Sequence, residues 1–476
     1  MGTPTVAVVP DPPRRADGTV ELDGIVARLG PDTVTVLESA RNVPYAGRWS
    51  WIVPHTGVRI LANEWHATLI TPTRTYRLPG DPLDGLDEVL STLGLSLTSG
   101  ARADLPPFTG GLVGGFAYDL ARVIERLPTV AADDRGHPFI DLVVADTALG
   151  IDHESDELVV VHRPDLLTRL GATTDVDELR RRLREGPAGQ DPSPAVAPAE
   201  ITSTFTAGDY RKAVSTILDH VAAGDTFQVN VSQRLSAPWH GSAWQLYQRL
   251  RDHSPASHGV SHPAPWGGLA SVSPETFLEV SGRDVLTRPI KGTRPRHRDA
   301  AVDHRLSAAL VASPKDRAEN VMVVDMERSD LGRVCETGSV HVAGLLELEQ
   351  HPTVWHLVST VTGQLRADVT PGQLLGATFP SGSVTGTPKV RAMEIIEHVE
   401  PVRRSFYCGA IGWFSAGTAS LSVAIRTAEL DHRLGLVDHG AGGGIVADSD
   451  PAAELAESID KARAFELALG TNVTRE

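Results

Sequence analysis

Runs of alternating apolar and polar residues follow one another through most of this chain, without the regular strand-helix-strand spacing that a parallel sheet requires. This pattern limits the fold more than any other feature. Between Thr33 and Val161 the runs are VTVLES, RWSWIVP, VRILANEWHATLI, FIDLVVADTALGI and ELVVVHRP, separated by turn residues. Short helices are expected at Leu83 to Leu93, around Leu120 to Arg126, and at Val176 to Arg184. After residue 200 the spacing predicts helices at Ala207 to Ala222, Val302 to Ala312 and Arg317 to Leu331. Another runs from Pro388 to about Val399, and a last one starts at Pro451 with Asp450 as its cap. Three strands, YCGAIGWFS, ASLSVAIRTAEL and LGLVDHGAGGGIVA, precede that last helix. The expectation is a mixed α/β chain with long antiparallel meanders.

A length of 476 residues suggests two or three domains. The segment EGPAGQDPSPAVAPAE lacks periodicity and is rich in Pro, Ala and Gly, so it reads as a linker. The division is therefore an N-terminal lobe at 1–185, a linker at 186–202 and a C-terminal region at 203–476.

The formal charge of −16 disfavours nucleic acid and anionic membranes as partners, and no apolar run reaches the ~20 residues of a membrane helix. The first residues, MGTPTVAVVPDPPRR, resemble neither a secretory signal nor a myristoylation site, so a cytoplasmic location is expected. Two cysteines, Cys335 and Cys408, make no disulfide framework and no metal-ligand spacing. Of 44 basic residues only five are lysines, Lys212, Lys291, Lys315, Lys389 and Lys461. Each is a candidate for work that arginine's permanently charged plane cannot do.

Several constellations can carry chemistry. Glu454, Glu457 and Lys461 lie within about 60° of one another around the last helix, on one face, and can share a ligand or form a surface ion pair. Glu319 has Met322, Val323 and Met326 at i+3, i+4 and i+7, which puts a carboxylate on an apolar face. Its partner is either a cation such as Mg²⁺ or an arginine. The segments SGSVTGTPK (Ser381 to Lys389) and GAGGG (Gly440 to Gly444) can aim backbone N–H groups at anions, or form plain tight turns. Lys291 in PIKGTRPR is either a positioned amine nucleophile or a solvated loop lysine. Glu275 in SPETFLEV and His356 in WHLVST are open between chemistry and structure in the same way.

Read in order, QVNVSQR, SPETFL, PIKGTRPR, AENVMVVDMERSDLGRV, WHLVSTV, FPSGSVTGTPKVRAMEIIE, YCGAIG, SVAIRT and GAGGGIVADSDP with ELAESIDKA resemble the chorismate-utilising enzymes. The match spans nearly all of Thr206 to Phe465, with a weaker one at VLESARN and FTGGLVGGFAYD. Within that family the chain is most similar to aminodeoxychorismate synthase component I, and next to anthranilate synthase component I. The resemblance implies an α+β fold of two interleaved α/β lobes around a large antiparallel β-sandwich, with 203–476 as the chorismate-binding catalytic region.

It also implies roles. Lys291 would be the nucleophile, Glu275 the general acid and His356 a group that positions substrate or stabilises charge. Glu319 and Glu454, with Glu457 nearby, would hold Mg²⁺. Gln228, Tyr407, Arg426, Gly442, Gly444 and Lys461 would contact substrate, with Gly292, Thr293 and Ser383 closing the pocket. Members that add water have a lysine base where this chain has Gln228, which favours ammonia as nucleophile over isochorismate or salicylate synthesis. Lysine rather than alanine at 291 favours the aminodeoxychorismate branch. Neither cysteine sits in a nucleophile elbow, so ammonia is expected from a separate glutamine amidotransferase subunit. Leu37, Glu38 and Ser39 would contribute to a tryptophan pocket that is regulatory, structural or absent, and Gly115 departs from the aromatic common at its position. An alternative of another class is a non-catalytic partner that binds chorismate or tryptophan and regulates an amidotransferase. The presence of Glu275, Lys291, Glu319 and Glu454 argues against it.

Overall fold

The computed structural model describes residues 3–40, 47–186 and 200–471, so most of the expected linker, 187–199, lies outside the described residues. Two 12-stranded sheets dominate, and every pairing between their strands is antiparallel. Each sheet takes strands from both sides of the linker. In the first, Val34–Glu38 pairs with His258–Ala264. In the second, Gly111–Phe116 lies between Ile140–Ala145 and Ala410–Ser415.

Strand alternation explains the layering. In Trp49–Pro54, Ile52 joins a core with the helices Leu22–Leu29, Ala243–His253 and Arg463–Leu469. Its neighbours Trp51 and Val53 point the other way, onto Phe108, Val113 and Trp413 of the second sheet's side. The second sheet is covered in turn by Pro82–Thr92, Pro314–Gly332 and Pro371–Thr378. Central strands such as Gly111–Phe116, Ile140–Ala145 and Gly267–Ser273 are therefore buried on both faces. Gly115 is explained by this contact between sheets. A Cβ there would sit 2.9 Å from Leu269 Cδ1 and Phe406 Cε1, so the bare backbone makes room for the facing sheet.

Three expected strands are broken, and one of them, FIDLVVADTALGI, divides into Ile140–Ala145 in the second sheet and Thr147–Asp152 in the first. VRILANEWHATLI forms the hairpin of Arg59–Ala62 and Ala67–Ile70, turned by Asn63, whose side chain accepts from the N–H groups of Trp65 and His66. ASLSVAIRTAEL divides into Thr418–Val423 in the second sheet and Thr427–Asp431 in the first. The chain crosses between sheets at residues 424–426, where Arg426 has φ 50°. A second crossing joins Gly267–Ser273 to Thr276–Ser281, and Glu275 lies in it. Hydrogen bonds tie the two crossings together: Val423 N–H donates to the Glu275 carbonyl at 3.0 Å, and Val272 N–H to the Arg426 carbonyl at 3.1 Å.

The helix Lys389–Val399 starts one residue later than expected, with Pro388 in extended conformation as its N-cap. Helix Pro451–Lys461 begins as expected, and the Asp450 side chain accepts from the N–H groups of Ala452 and Ala453. Among the described residues no helix is long and apolar enough to cross a membrane.

Candidate active site

The two crossings, the edge strand Ile290–Pro295 and the glycine-rich strand Leu436–Ile445 bring the candidate residues to one place, capped by helices Pro314–Gly332 and Pro451–Lys461. Glu275 is buried, and its Oε1 accepts from the Ile290 N–H at 3.4 Å. Burial pushes its carboxyl up to about 6, against the opposing pull of Ser383 and the Lys291 charge. Lys291 Nζ donates to the Ser383 carbonyl at 2.8 Å. Burial lowers the pKa of that amine, while Glu319 and Glu275 work to raise it. Gly292 follows at φ 89°, a left-handed conformation that glycine adopts without strain, and directs the strand past Leu310 and Asp316.

Thr293 Oγ1 lies 2.9 Å from His356 Nδ1, which orients the ring. His356 Nε2 is buried with no hydrogen-bond partner among the described residues, and burial together with Arg426 and His351 lowers the imidazole's pKa well below its ordinary value. Among the described residues the Arg426 guanidinium donates to the Ser254 hydroxyl at 3.3 Å and pairs with no carboxylate. Its enclosure lowers its pKa, because burial penalises the charged form.

Gln228 is buried, its two side-chain polar atoms without a hydrogen-bond partner among the described residues, against the backbone of Gly444, where a Cβ would approach Nε2 to 2.6 Å. Gly442 has the same constraint from the Val231 carbonyl at 2.1 Å. These glycines are needed because the neighbouring strand occupies the space, by the Gln228 side chain at Gly444 and by its own backbone at Gly442. Tyr407 packs its ring on Gly440, where a Cβ would meet Cγ at 2.2 Å. Burial raises the Tyr407 phenol well above its ordinary pKa.

The acidic residues meet at the helix ends. Lys315 Nζ is 3.4 Å from Glu454 Oε1 and 3.9 Å from Glu319 Oε1. Ser449 Oγ donates to the same Glu454 oxygen at 2.7 Å. Burial raises the Glu319 carboxyl against the pull of Lys291 and Lys315. Glu457 pairs with Lys461 at 2.8 Å, which lowers its pKa, and Lys461 also donates to the Gly442 carbonyl at 2.9 Å. Gly443 lies beneath this group, its Cβ position 3.2 Å from Glu454 Oε2 and 3.6 Å from Glu457 Oε1. Among the described residues no three His, Cys, Asp or Glu side chains form a ready metal cage. The donors still suit Mg²⁺, which takes one or two carboxylates and completes its shell with water and substrate oxygens. A cation, the Lys315 ammonium, already lies between two of them.

Leu37, Glu38 and Ser39 are elsewhere, on a cavity of about 820 Å³ between the sheets that also meets Trp49, Trp51 and Trp413. Glu38 is held there by Tyr247 Oη at 2.6 Å and Arg251 Nη1 at 2.9 Å.

Sequence reasoning missed two residues. Lys315 was one of five lysines, but its partner Glu454 is far along the chain. Glu327, fully buried on helix Pro314–Gly332, accepts from Ser381 Oγ and from Gly382 N–H, each at 3.0 Å. It thus fixes the turn whose Ser383 carbonyl holds Lys291. A carboxylate among apolar helix positions was the available signal.

A family model described as chorismate binding enzyme matches residues 63–466. The chain is 40% identical over 400 residues to anthranilate synthase component 1 of Streptomyces coelicolor, covering 81% of this chain and 77% of that protein. It is also 40% identical over 382 residues to aminodeoxychorismate synthase component 1 of Escherichia coli, covering 80% of this chain and 81% of that one. Among solved structures, anthranilate synthase component I from Streptococcus pneumoniae superposes with a TM-score of 0.76 at 29% identity, covering 89% of this chain and 93% of that chain.

Proposed function

The chain belongs to the chorismate-binding enzyme family, and from that premise we propose that it is the synthase component that converts chorismate and ammonia to 4-amino-4-deoxychorismate, the precursor of p-aminobenzoate for folate. The observation that carries this reading is Lys291, an amine desolvated and aimed by the Ser383 carbonyl beside the buried carboxyl of Glu275.

In the first step the neutral Lys291 amine adds to the ring diene of chorismate. A carbon–nitrogen bond forms at one end of the diene, both double bonds shift along the ring, and the bond to the ring hydroxyl at the far end breaks. Hydroxide is a poor leaving group, so Glu275 gives its proton and the oxygen departs as water. Ammonia then attacks the carbon that lost oxygen, both double bonds shift back, and the bond to Lys291 breaks. Proton return to Glu275 completes the cycle. Arg426, Lys461 and the N–H groups of the glycine-rich strand hold the substrate's carboxylates. Tyr407 and the Thr293–His356 pair fix its orientation. Gln228 cannot deprotonate water, which leaves ammonia as the nucleophile. Glu319 and Glu454, with Glu457 nearby, would hold Mg²⁺, which supplies electrostatic stabilisation for a substrate carboxylate.

Ammonia comes, in this reading, from a separate glutamine amidotransferase subunit, and the relatives named component 1 support a two-component enzyme. The work is assigned to the cytoplasm. The cavity at Leu37, Glu38 and Ser39 is the candidate tryptophan pocket, to be tested by calorimetry with tryptophan.

Anthranilate synthesis is the second reading, favoured by anthranilate synthase relatives at equal identity. Product analysis separates the two. With chorismate, Mg²⁺ and ammonium, the chain is expected to consume chorismate without stoichiometric pyruvate, and p-aminobenzoate should form only after a lyase is added. Fluorescent anthranilate with matching pyruvate would favour the second reading. Conversion of glutamine by the isolated chain would refute a separate amidotransferase.

A further inference from the structure

Lys315 stands second in the helix Pro314–Gly332, where the helix dipole disfavours a cation. Its ammonium is nevertheless directed at Glu454, 3.4 Å away, and Glu319, 3.9 Å away. The two carboxylates are enclosed, with side chains 4% and 14% exposed, whereas the lysine side chain is 44% exposed. The arrangement is asymmetric. The carboxylates are largely enclosed by the packed helices, whereas the ammonium can swing outward on its flexible stem at little desolvation cost. A lysine also suits this place better than the arginines that dominate the chain. Its compact charge fits where a divalent ion would sit, and it lacks the planar fork that would clamp both carboxylates.

We propose that Lys315 is the resident counter-ion of the metal site, seated between Glu319 and Glu454 until a divalent ion displaces it. The inference rests on the reading of those carboxylates as metal ligands. It goes further in making Lys315 a positioning residue that keeps two buried carboxylates together in the metal-free protein and weakens metal binding by competing for the same space. The other acidic side chain, Glu457, has its ion-pair partner in Lys461 at 2.8 Å and feels the Lys315 charge only as a smaller, longer-range attraction.

The test is Mn²⁺ binding to the full chain without substrate, followed by the paramagnetic resonance signal of free Mn²⁺. Removing one competing charge at this distance from a partly screened site should tighten binding on the order of tenfold in Lys315→Met and Lys315→Gln. Lys315→Arg, which keeps the charge, should bind no tighter than wild type. Lys315 is half exposed, so these variants should fold, and thermal melting checks it. Glu319→Gln serves as the control. If it loses Mn²⁺ while the neutral Lys315 variants match wild type or bind more weakly, the role of Lys315 is overturned and the metal site stands. If Glu319→Gln binds Mn²⁺ as well as wild type, the metal reading itself falls, and the inference with it.

Discussion

Glu275 meets opposing demands at a single carboxyl. Its folded pKa of about 6 exceeds the ordinary 4.5 because burial penalises the ionised form. Between those values the native state binds more protons than the unfolded one, so this group's contribution to stability declines as pH rises through that window and stays low above it. Glu275→Gln removes the penalty, and should stabilise the protein by about 2 kcal/mol at pH 8 but by almost nothing at pH 4.5. Urea denaturation at the two pH values measures the difference. The same variant should lose about 10²- to 10⁴-fold in turnover, because it cannot donate the proton. Lys291→Arg probes the neighbouring group. It keeps a cation at the Ser383 carbonyl but cannot add to the diene, so turnover should fall to background while chorismate still binds in calorimetry. Wild-type rates would reduce Lys291 to an electrostatic contact.

The turn at Ser381–Ser383 depends on helix Pro314–Gly332 for its shape. Glu327→Ala leaves the buried Gly382 N–H without its acceptor and the Ser381 hydroxyl with only the Ser383 hydroxyl at 3.1 Å, a loss of about 1–3 kcal/mol. The Ser383 carbonyl is then free to shift, so kcat should fall more than KM for chorismate rises. Glu327→Gln keeps an acceptor oxygen and removes a charge that burial and Asp330 disfavour. It should retain both stability and most of the turnover. Equal damage from both variants would mean that the charge, rather than the hydrogen bonds, fixes the turn. Chemical denaturation with steady-state kinetics separates these outcomes.

In the whole molecule, the division at 186–202 is a division of sequence more than of packing. Gly111–Phe116 is an interior strand between Ile140–Ala145 and Ala410–Ser415, and Val34–Glu38 pairs with His258–Ala264. Expressing 203–476 alone removes both N-terminal neighbours and exposes two long apolar edges. That fragment should aggregate or bind a hydrophobic dye, whereas the full chain nicked between 187 and 199 should stay associated and elute as one species. A soluble, chorismate-binding fragment would instead establish an independent catalytic domain.

Local physics made much of this protein legible in its sequence. Alternation announced antiparallel sheets, Asp450 marked a helix start, and the i+3, i+4, i+7 spacing placed Glu319 beside apolar positions of which Val323 and Met326 are buried. The ordered motifs named nearly every side chain that the fold gathers at the candidate site. Tertiary structure alone decided which sheet each strand joins. ASLSVAIRTAEL reads as one strand because alternation reports which residues share a face and says nothing of which neighbour pairs with the backbone. Only the fold divides it at Arg426 and ties that crossing to the one at Glu275. The same holds for Lys315 and Glu327. Charge and hydrogen bonding act across space, and their partners, Glu454 and the Ser381–Gly382 turn, are reached only when distant segments pack together.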